Sequence, residues 1–299
     1  MLGEWFLSFI LAHLSDAHIG PIPRPNFSQL LNKRLTGYMN WLYKRADQHA
    51  MSVLIDIVDD LKSQGPDHIL MTGDIVNIGL PAELQIAEEW LLSLGSPNLV
   101  SFTPGNHDAY VAGVTKLIED NFAPWTTTDE TVPGFPYLRR RDKLALIGLN
   151  SGVPTAPFVA SGRLGPQQLE RLSEQLARMK QEGLIRVVFL HHPPNVGGAS
   201  LLRGLEDAVA FEEVIERQGA ELILHGHNHR PSVAYIRGPS KAVPVVGVAS
   251  ASARKEGHRP SASYHIYRFS QVDKELKINV IRRGLNNKDE ITELANFDI

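Results

Sequence analysis

The stretch LILHGHNHR, Leu222 to Arg230, runs from apolar residues straight into three histidines at alternate positions, His225, His227 and His229. Successive residues of a strand point to opposite faces, so positions i and i+2 share one. If the extended conformation continues past Leu224, all three rings project the same way. A histidine after a strand commonly serves packing and hydrogen bonding. Three at period two also make a set of metal ligands, provided that partners come from elsewhere in the chain.

Suitable partners stand at the ends of four other apolar runs. Phe6–Leu14 leads into Asp16-Ala17-His18, and His68–Thr72 into Gly73-Asp74. Leu99–Thr103 leads into Gly105-Asn106-His107-Asp108, and Arg186–Leu190 into His191-His192-Pro193-Pro194. Glu221–Leu224 leads into the histidines above. In open α/β sheets the carboxyl ends of the strands converge on the ligand site, so five loops far apart in sequence can meet.

The rest of the chain supports that architecture. Leu144–Leu149 is a sixth candidate strand, and Asp47–Gln64, Ala82–Leu94, Pro166–Gln181 and Asp207–Gln218 are candidate helices. Pro166 opens one of these, and Gly183 and Gly219 lie just past the ends of two. Alternation of strand and helix predicts an α/β sheet. Ser232–Ile236, Ala242–Val248, Tyr264–Phe269 and Leu276–Arg282 read as strands without intervening helices, extending the sheet or forming a second one. The expectation is a single domain over residues 1–299.

Composition narrows the chemistry. The 299 residues carry a formal net charge of −3, which argues against a nucleic-acid polymer as partner. There is no cysteine, so disulfides and thiolate sites are excluded and His, Asp and Asn are left as ligands. Trp5–Leu14 has the length of a signal-peptide core but no basic residue before it, and reads as a buried first strand. No apolar run has the length of a membrane span. The expected location is cytoplasmic, with a peripheral membrane position as the alternative.

Two divalent metals about 3.5–4 Å apart can clamp a phosphoryl group and activate water. One carboxylate must bridge them, with imidazoles filling the remaining positions. As a set, Asp16-Ala17-His18, Gly73-Asp74, Gly105-Asn106-His107-Asp108, His191-His192-Pro193 and Gly226-His227-Asn228-His229 resemble the signature of the calcineurin-like metallophosphoesterases, over about residues 8–230. The resemblance implies a four-layer α/β/β/α sandwich and a centre of two divalent ions (Mn, Fe or Zn). It implies that Asp16, His18 and His229 hold one ion, that Asn106, His191 and His227 hold the other, and that Asp74 bridges them. His107 resembles the family's non-ligand histidine that contacts phosphate and protonates the leaving group, with Asp108 orienting it. His192 and His225 fall either behind the ligands or into plain packing. His13, His49, His68, His258 and His265 read as surface or core residues.

Departures from the family's branches are informative. Gly73-Asp74-Ile75-Val76-Asn77-Ile78-Gly79 lacks the arginine of the protein Ser/Thr phosphatases. Asn77 stands where purple acid phosphatases have their iron-binding tyrosine, and it lies close enough to Asp74 to contact substrate. In motif form the chain most resembles class III cyclic-nucleotide phosphodiesterases and glycerophosphodiesterases. The resemblance therefore implies metal-bridged hydroxide attack on a small phosphodiester. Cleavage of a pyrophosphate in a lipid-linked nucleotide sugar of the UDP-diacylglucosamine type is the second expectation. A non-catalytic protein-binding scaffold is the third, and the filled ligand positions argue against it.

Three segments remain. Pro21–Ala50 reads as a helical insertion, either packed on the body or capping the site, with its amphipathic stretch Leu30–Arg45 suited to a lipid or membrane-surface substrate. Arg139-Arg140-Arg141 reads as a solvated turn of a hairpin. Arg254, Lys255, His258 and Arg259 lie in a loop within reach of a phosphate or nucleoside.

Overall fold

The apolar runs are buried on both faces, and alternation along them sorts the core. The computed structural model describes residues 9–45, 48–130, 132–254, 259–272 and 275–299. In β1 (Phe9–Leu14), Phe9 and Leu11 face one way while Ala12 and Leu14 face the other. β2 (His68–Met71) and β6 (Ile185–Phe189) divide in the same manner, as does β7 (Leu222–His225).

The described strands form two six-stranded sheets. The first has the order β12-β11-β10-β1-β2-β3, with β3 at Val100–Phe102, β10 at Ser263–Val272, β11 at Glu275–Leu285 and β12 at Ile291–Asp298. The second has the order β4-β5-β6-β7-β9-β8, with β4 at Tyr137–Arg141, β5 at Leu144–Gly148, β8 at Ser232–Ile236 and β9 at Val243–Gly247. β1, β2 and β3 are parallel, and so are β5, β6, β7 and β9. Leu11, Leu70, Leu146, Val187, Leu224 and Tyr267 pack between the sheets. The helices α2 (Met51–Ser63) and α3 (Pro81–Leu94) cover the first sheet with the short α4 (Thr115–Asn121) and α5 (Ala123–Thr126), while α6 (Pro166–Gln181) and α7 (Ala208–Gln218) cover the second. This is the expected α/β/β/α sandwich.

Several expectations change in detail. The C-terminal strands do both things that were open to them: β8 and β9 join the second sheet, and β10 to β12 extend the first. β12 is an unexpected strand, because its half-buried residues lack a continuous apolar run. The helix expected from Asp47 starts at Met51, because His49 is bridged to Ala253, with Ala50 N–H donating to Ser252 O and Arg254 N–H to Gln48 O. Asp47 lies outside the described residues, as do 6–8 of the first expected strand.

The arginine triplet is not a solvated turn. It lies within β4, and the hairpin turns at Asp142-Lys143 instead. Arg139 is buried, with its guanidinium donating to the carbonyls of Pro97, Val100, Pro124 and Thr127. A planar five-donor cation can be buried when carbonyls receive it this fully.

Within Pro21–Ala50, a 3-10 turn at Phe27–Leu30 precedes α1 (Arg34–Asn40) and a π-helical turn at Trp41–Arg45. Arg34 anchors the segment by donating to the Ile78 and Gly79 carbonyls. Lys33 Nζ reaches across to Thr155 Oγ1 at 2.7 Å and Val159 O at 3.0 Å.

Candidate metal centre

All five motif loops leave the carboxyl ends of parallel strands, and they are strapped to one another by their backbones. Asp16 N–H donates to Gly73 O, His18 N–H to Asp74 O, and Gly226 N–H to His191 O. Ser250 Oγ donates to Asp16 O at 2.7 Å. Asp16, His18, Asp74, His227 and His229 all have positive φ, between 41° and 67°. Such conformations cost a non-glycine residue about 1–3 kcal/mol each, and gather where a site over-determines them. Gly226 has no room for a side chain, since a Cβ would run into the Ser15 hydroxyl beside Asp16.

Asp74 stands at the middle. Its Oδ2 lies 3.2 Å from His191 Nε2 and 3.9 Å from His18 Nε2. Its Oδ1 accepts the His107 backbone N–H at 2.7 Å. On one side, His229 Nε2 is 3.3 Å from His18 Nε2 and 3.1 Å from Asp16 Oδ1, the latter without hydrogen-bond alignment. On the other, His227 Nδ1 is 3.2 Å from His191 Nε2. The carboxamide oxygen of Asn106 is buried and accepts no hydrogen bond.

These atoms fit a pair of cations. Imidazole nitrogens nose to nose offer lone pairs to one point, and buried carboxylates need positive charge beside them. The protein's own charges already lean that way. Burial raises Asp74, but the His191 and His107 charges outweigh it and hold the carboxyl well below its usual range. Burial disfavours charge on His191, but Asp74 and Asp16 outweigh it and bring the ring to about 9. Asp16, His18, His229 and Asp74 would hold one ion; His191, His227, Asn106 and Asp74 would hold the other.

The surrounding residues differ from expectation in four ways. First, the three histidines do not share a face. β7 ends at His225, and the left-handed turns at His227 and His229 send those rings to opposite clusters. His225 stays behind, its Nδ1 donating to Gly226 O at 3.0 Å, and burial lowers it to about 4. Second, Asp108 does not orient His107. Its two oxygens accept the backbone N–H groups of Asp74, Ile75, Val76 and Gly105, which ties the loops after β2 and β3 together. Burial and the neighbouring Asp74 charge push Asp108 up to about 7. The His107 ring is fixed by donating from Nδ1 to the Asn77 carbonyl.

Third, the Asn77 side chain is buried and donates to Ile19 O at 2.7 Å, while its own main-chain carbonyl accepts from His107 Nδ1. Fourth, His49 is neither core nor idle surface. Its ring centroid lies 4.6 Å from that of His18, and its Nδ1 meets Ser252 Oγ at 2.7 Å. Nothing in the sequence around His49 distinguishes it from other surface histidines. His192 is buried behind His227, paired with Ser151 Oγ at 2.8 Å, and burial with the His191 charge lowers it to about 3. His13, His68 and His265 are buried as expected, paired with Thr72, Ser101 and Tyr267. His258 and Lys255 lie outside the described residues.

Two cavities open on the centre. A cleft of about 460 Å³ is lined by Lys33, Asp74, Asn106, His107, Tyr110 and Phe158, among others. The second, of about 580 Å³, lies beyond His229 and Arg203, which also line the cleft. Lys33 and Arg203 carry no sign of this in the sequence, because neither sits in a motif.

The sequence profile of the calcineurin-like phosphoesterases matches residues 10–231, which takes in every loop just described. The chain belongs to this family. Among curated relatives, a probable cyclic nucleotide phosphodiesterase of Synechococcus is 30% identical over 185 residues, 61% of this chain and 64% of the relative. This phosphoesterase thus spans somewhat under two thirds of that relative's length. A glycerophosphodiester phosphodiesterase of Enterobacter lignolyticus is 27% identical over 76% of this chain and 73% of its own. Among solved structures, a dimetal phosphatase from Danio rerio superposes with a TM-score of 0.60 at 13% identity, over 97% of this chain and 98% of that one. That likeness speaks for the fold alone.

Proposed function

We propose that this phosphoesterase is a phosphodiesterase acting on a small phosphodiester of the cyclic-nucleotide or glycerophosphodiester kind. One observation carries the reading: two nitrogen-and-oxygen donor clusters share the Asp74 carboxylate at the floor of a cleft that His107 overlooks. The names of the Synechococcus and Enterobacter relatives favour a diester over a monoester. When bound, a pair of Mn, Fe(II) or Zn ions would activate water and offset the charge developing on the phosphoryl oxygens.

The chain's own residues supply the rest. A carbonyl can only accept, so the Asn77 contact requires the proton on Nδ1 of His107. Nε2 carries a proton only in the imidazolium form, and from that form it is the atom that gives a proton to the departing alkoxide, leaving the neutral Nδ1–H ring held by Asn77. Asp74 Oδ1 receives the His107 backbone N–H, which ties the bridging carboxylate to the proton donor's loop. Asp108 holds both loops in register.

The test is hydrolysis of bis(p-nitrophenyl) phosphate against p-nitrophenyl phosphate with Mn(II), the Asp74→Ala protein serving as control. Diester turnover well above monoester, lost in the variant, is the expected result. Monoester turnover equal to or above diester would sink the reading.

A second reading, a lipid-linked pyrophosphate taken at a membrane surface, rests on the rim of the cleft. Phe27, Leu31, Leu42 and Tyr43 of the 21–50 segment are exposed, as are Phe158 (86%) and Leu201 (94%) on the facing loops. Lys33 joins the first group to the Phe158 loop, and Ala160 N–H to Leu202 O joins that loop to the second. An apolar rim with interspersed cations suits an amphiphile. No described helix is long and apolar enough to cross a membrane, so such contact would be peripheral. Co-flotation with phosphatidylglycerol vesicles, abolished by Leu31→Ser with Tyr43→Ser, is the expected result. Absence of flotation favours the cytoplasmic small-diester reading.

A further inference from the structure

The cavity beyond His229 has a chemistry of its own. Arg203, Arg230, Arg254 and Arg259 line it, together with His49 and His229, and no described lining residue is Asp or Glu. The whole chain has 30 Lys and Arg against 33 Asp and Glu, so this concentration of cations runs against the overall balance. Arg203, Arg230 and Arg254 form no ion pair with any described residue. Fork-shaped guanidinium groups match the oxygens of phosphate better than any other side chain.

Position gives the cluster its meaning. Arg203 and His229 line both cavities, so the arginine cavity continues the catalytic cleft. Arg203 Nη2 donates to His227 O at 3.4 Å, which places its cationic end over the ligand loop. His49, its ring centroid 4.6 Å from that of His18, lines the same cavity. An ester with its phosphorus beside Asp74 can extend its non-reacting part past Arg203 and His229. That part then meets arginines.

We propose that this cavity is a subsite for a further phosphate group of the substrate. The inference rests on the phosphoesterase reading above and sharpens it. The preferred esters carry a second phosphate on the part that does not react, and esters with a cationic head group are disfavoured. A volume of about 580 Å³ takes a phosphate together with the sugar or glycerol that bears it.

The experiment uses three p-nitrophenyl alkyl phosphodiesters that differ only at the alkyl end: hydroxyl, carboxylate or phosphonate. With the 299-residue chain and Mn(II), kcat/KM is expected to rise in that order. The phosphonate should exceed the hydroxyl ester by about tenfold or more, a gap that narrows with added salt. The double variant Arg230→Glu/Arg254→Glu should lower that ratio at least about tenfold. Equal kcat/KM for the three esters overturns the subsite, and a carboxylate preferred over a phosphonate overturns its assignment to phosphate. Calorimetric binding of inositol hexasulfate, which has no phosphoester, reads the cavity without turnover. Salt-sensitive binding lost in the double variant supports the proposal, and binding that is absent or unchanged in the variant overturns it. Loss of all ester hydrolysis with that binding intact counts against the catalytic reading alone.

Discussion

His191 and His227 are shut away from solvent, whereas His229 is 29% exposed and opens on the arginine-lined cavity. The two clusters share Asp74, and Asn106 and His227 of the first border the cleft; but its rings are buried in the interior, while the second carries a part-exposed ring at a wall. The interior cluster is backed by His192, itself buried and held at about 3 by burial and the His191 charge. The other is backed by His49 and by the serines at 250 and 252. A buried donor set excludes competing water and holds its geometry, while a half-open one exchanges more readily. The shut side therefore suits retention of an ion, and the open side suits contact with substrate.

Removing the shared group tests the comparison most severely. Asp74→Ala should bring hydrolysis to background and metal content from two ions per chain to one or none, measured by elemental analysis of the purified protein. Two ions retained in that variant would show that Asp74 does not bridge.

Next comes the contrast itself. His191→Ala should bind neither ion durably, because the interior cluster loses its central imidazole. His229→Ala should keep one ion through gel filtration and regain activity when Mn(II) is raised. Equal retention in the two variants would erase the distinction between the sides.

A smaller loss is expected at the proton donor. His107→Ala should retain both ions and slow esters with poor leaving groups by about a hundredfold, and p-nitrophenyl esters much less. Equal slowing across leaving groups would remove its role as acid.

The smallest effect lies far from the centre and serves as a reference for global stability. Burial raises Asp60, but hydrogen bonds from Arg283 and Tyr264 and the Arg283 charge outweigh it, leaving its folded-state pKa lowered. The carboxylate form therefore stabilises the fold above the unfolded pKa, and that contribution fades as pH falls through the lower folded value. Because the pair is partly solvent-screened, Asp60→Asn should cost no more than about 1 kcal/mol at neutral pH. The difference from the parent in urea melts should close in acid.

The clusters that contain the seven candidate ligands were legible because each lies just past an apolar run that could only be a buried strand, and strand ends converge; which residues within them would be ligands came from the family resemblance. The strap role of Asp108 was not legible, because Gly-Asn-His-Asp looks the same whether the carboxylate faces an imidazole or four backbone N–H groups. The left-handed turns at His227 and His229 were hidden for a similar reason. Period two reads as one face until the backbone is known to bend. Arg139 looked solvated because its partners are carbonyls, which leave no trace in side-chain identity. Lys33, His49 and Arg203 reach the site through long-range packing that no local pattern encodes.

Beside the bonds that the Asp74 and Asp16 carboxylates accept from His107 and His227 N–H, the loops that carry the candidate ligands are held by several that involve no candidate ligand atom. Asp108 gathers four backbone N–H groups, Ser250 holds the Asp16 carbonyl, and Gly226 N–H holds His191 O. The scaffold and the coordinating groups are thus separable under mutation. A lineage could lose an imidazole and keep a folded, soluble product, with the vacated cleft still shaped to receive something. Expression level would then be blind to the loss of chemistry, and only assays of turnover would register it.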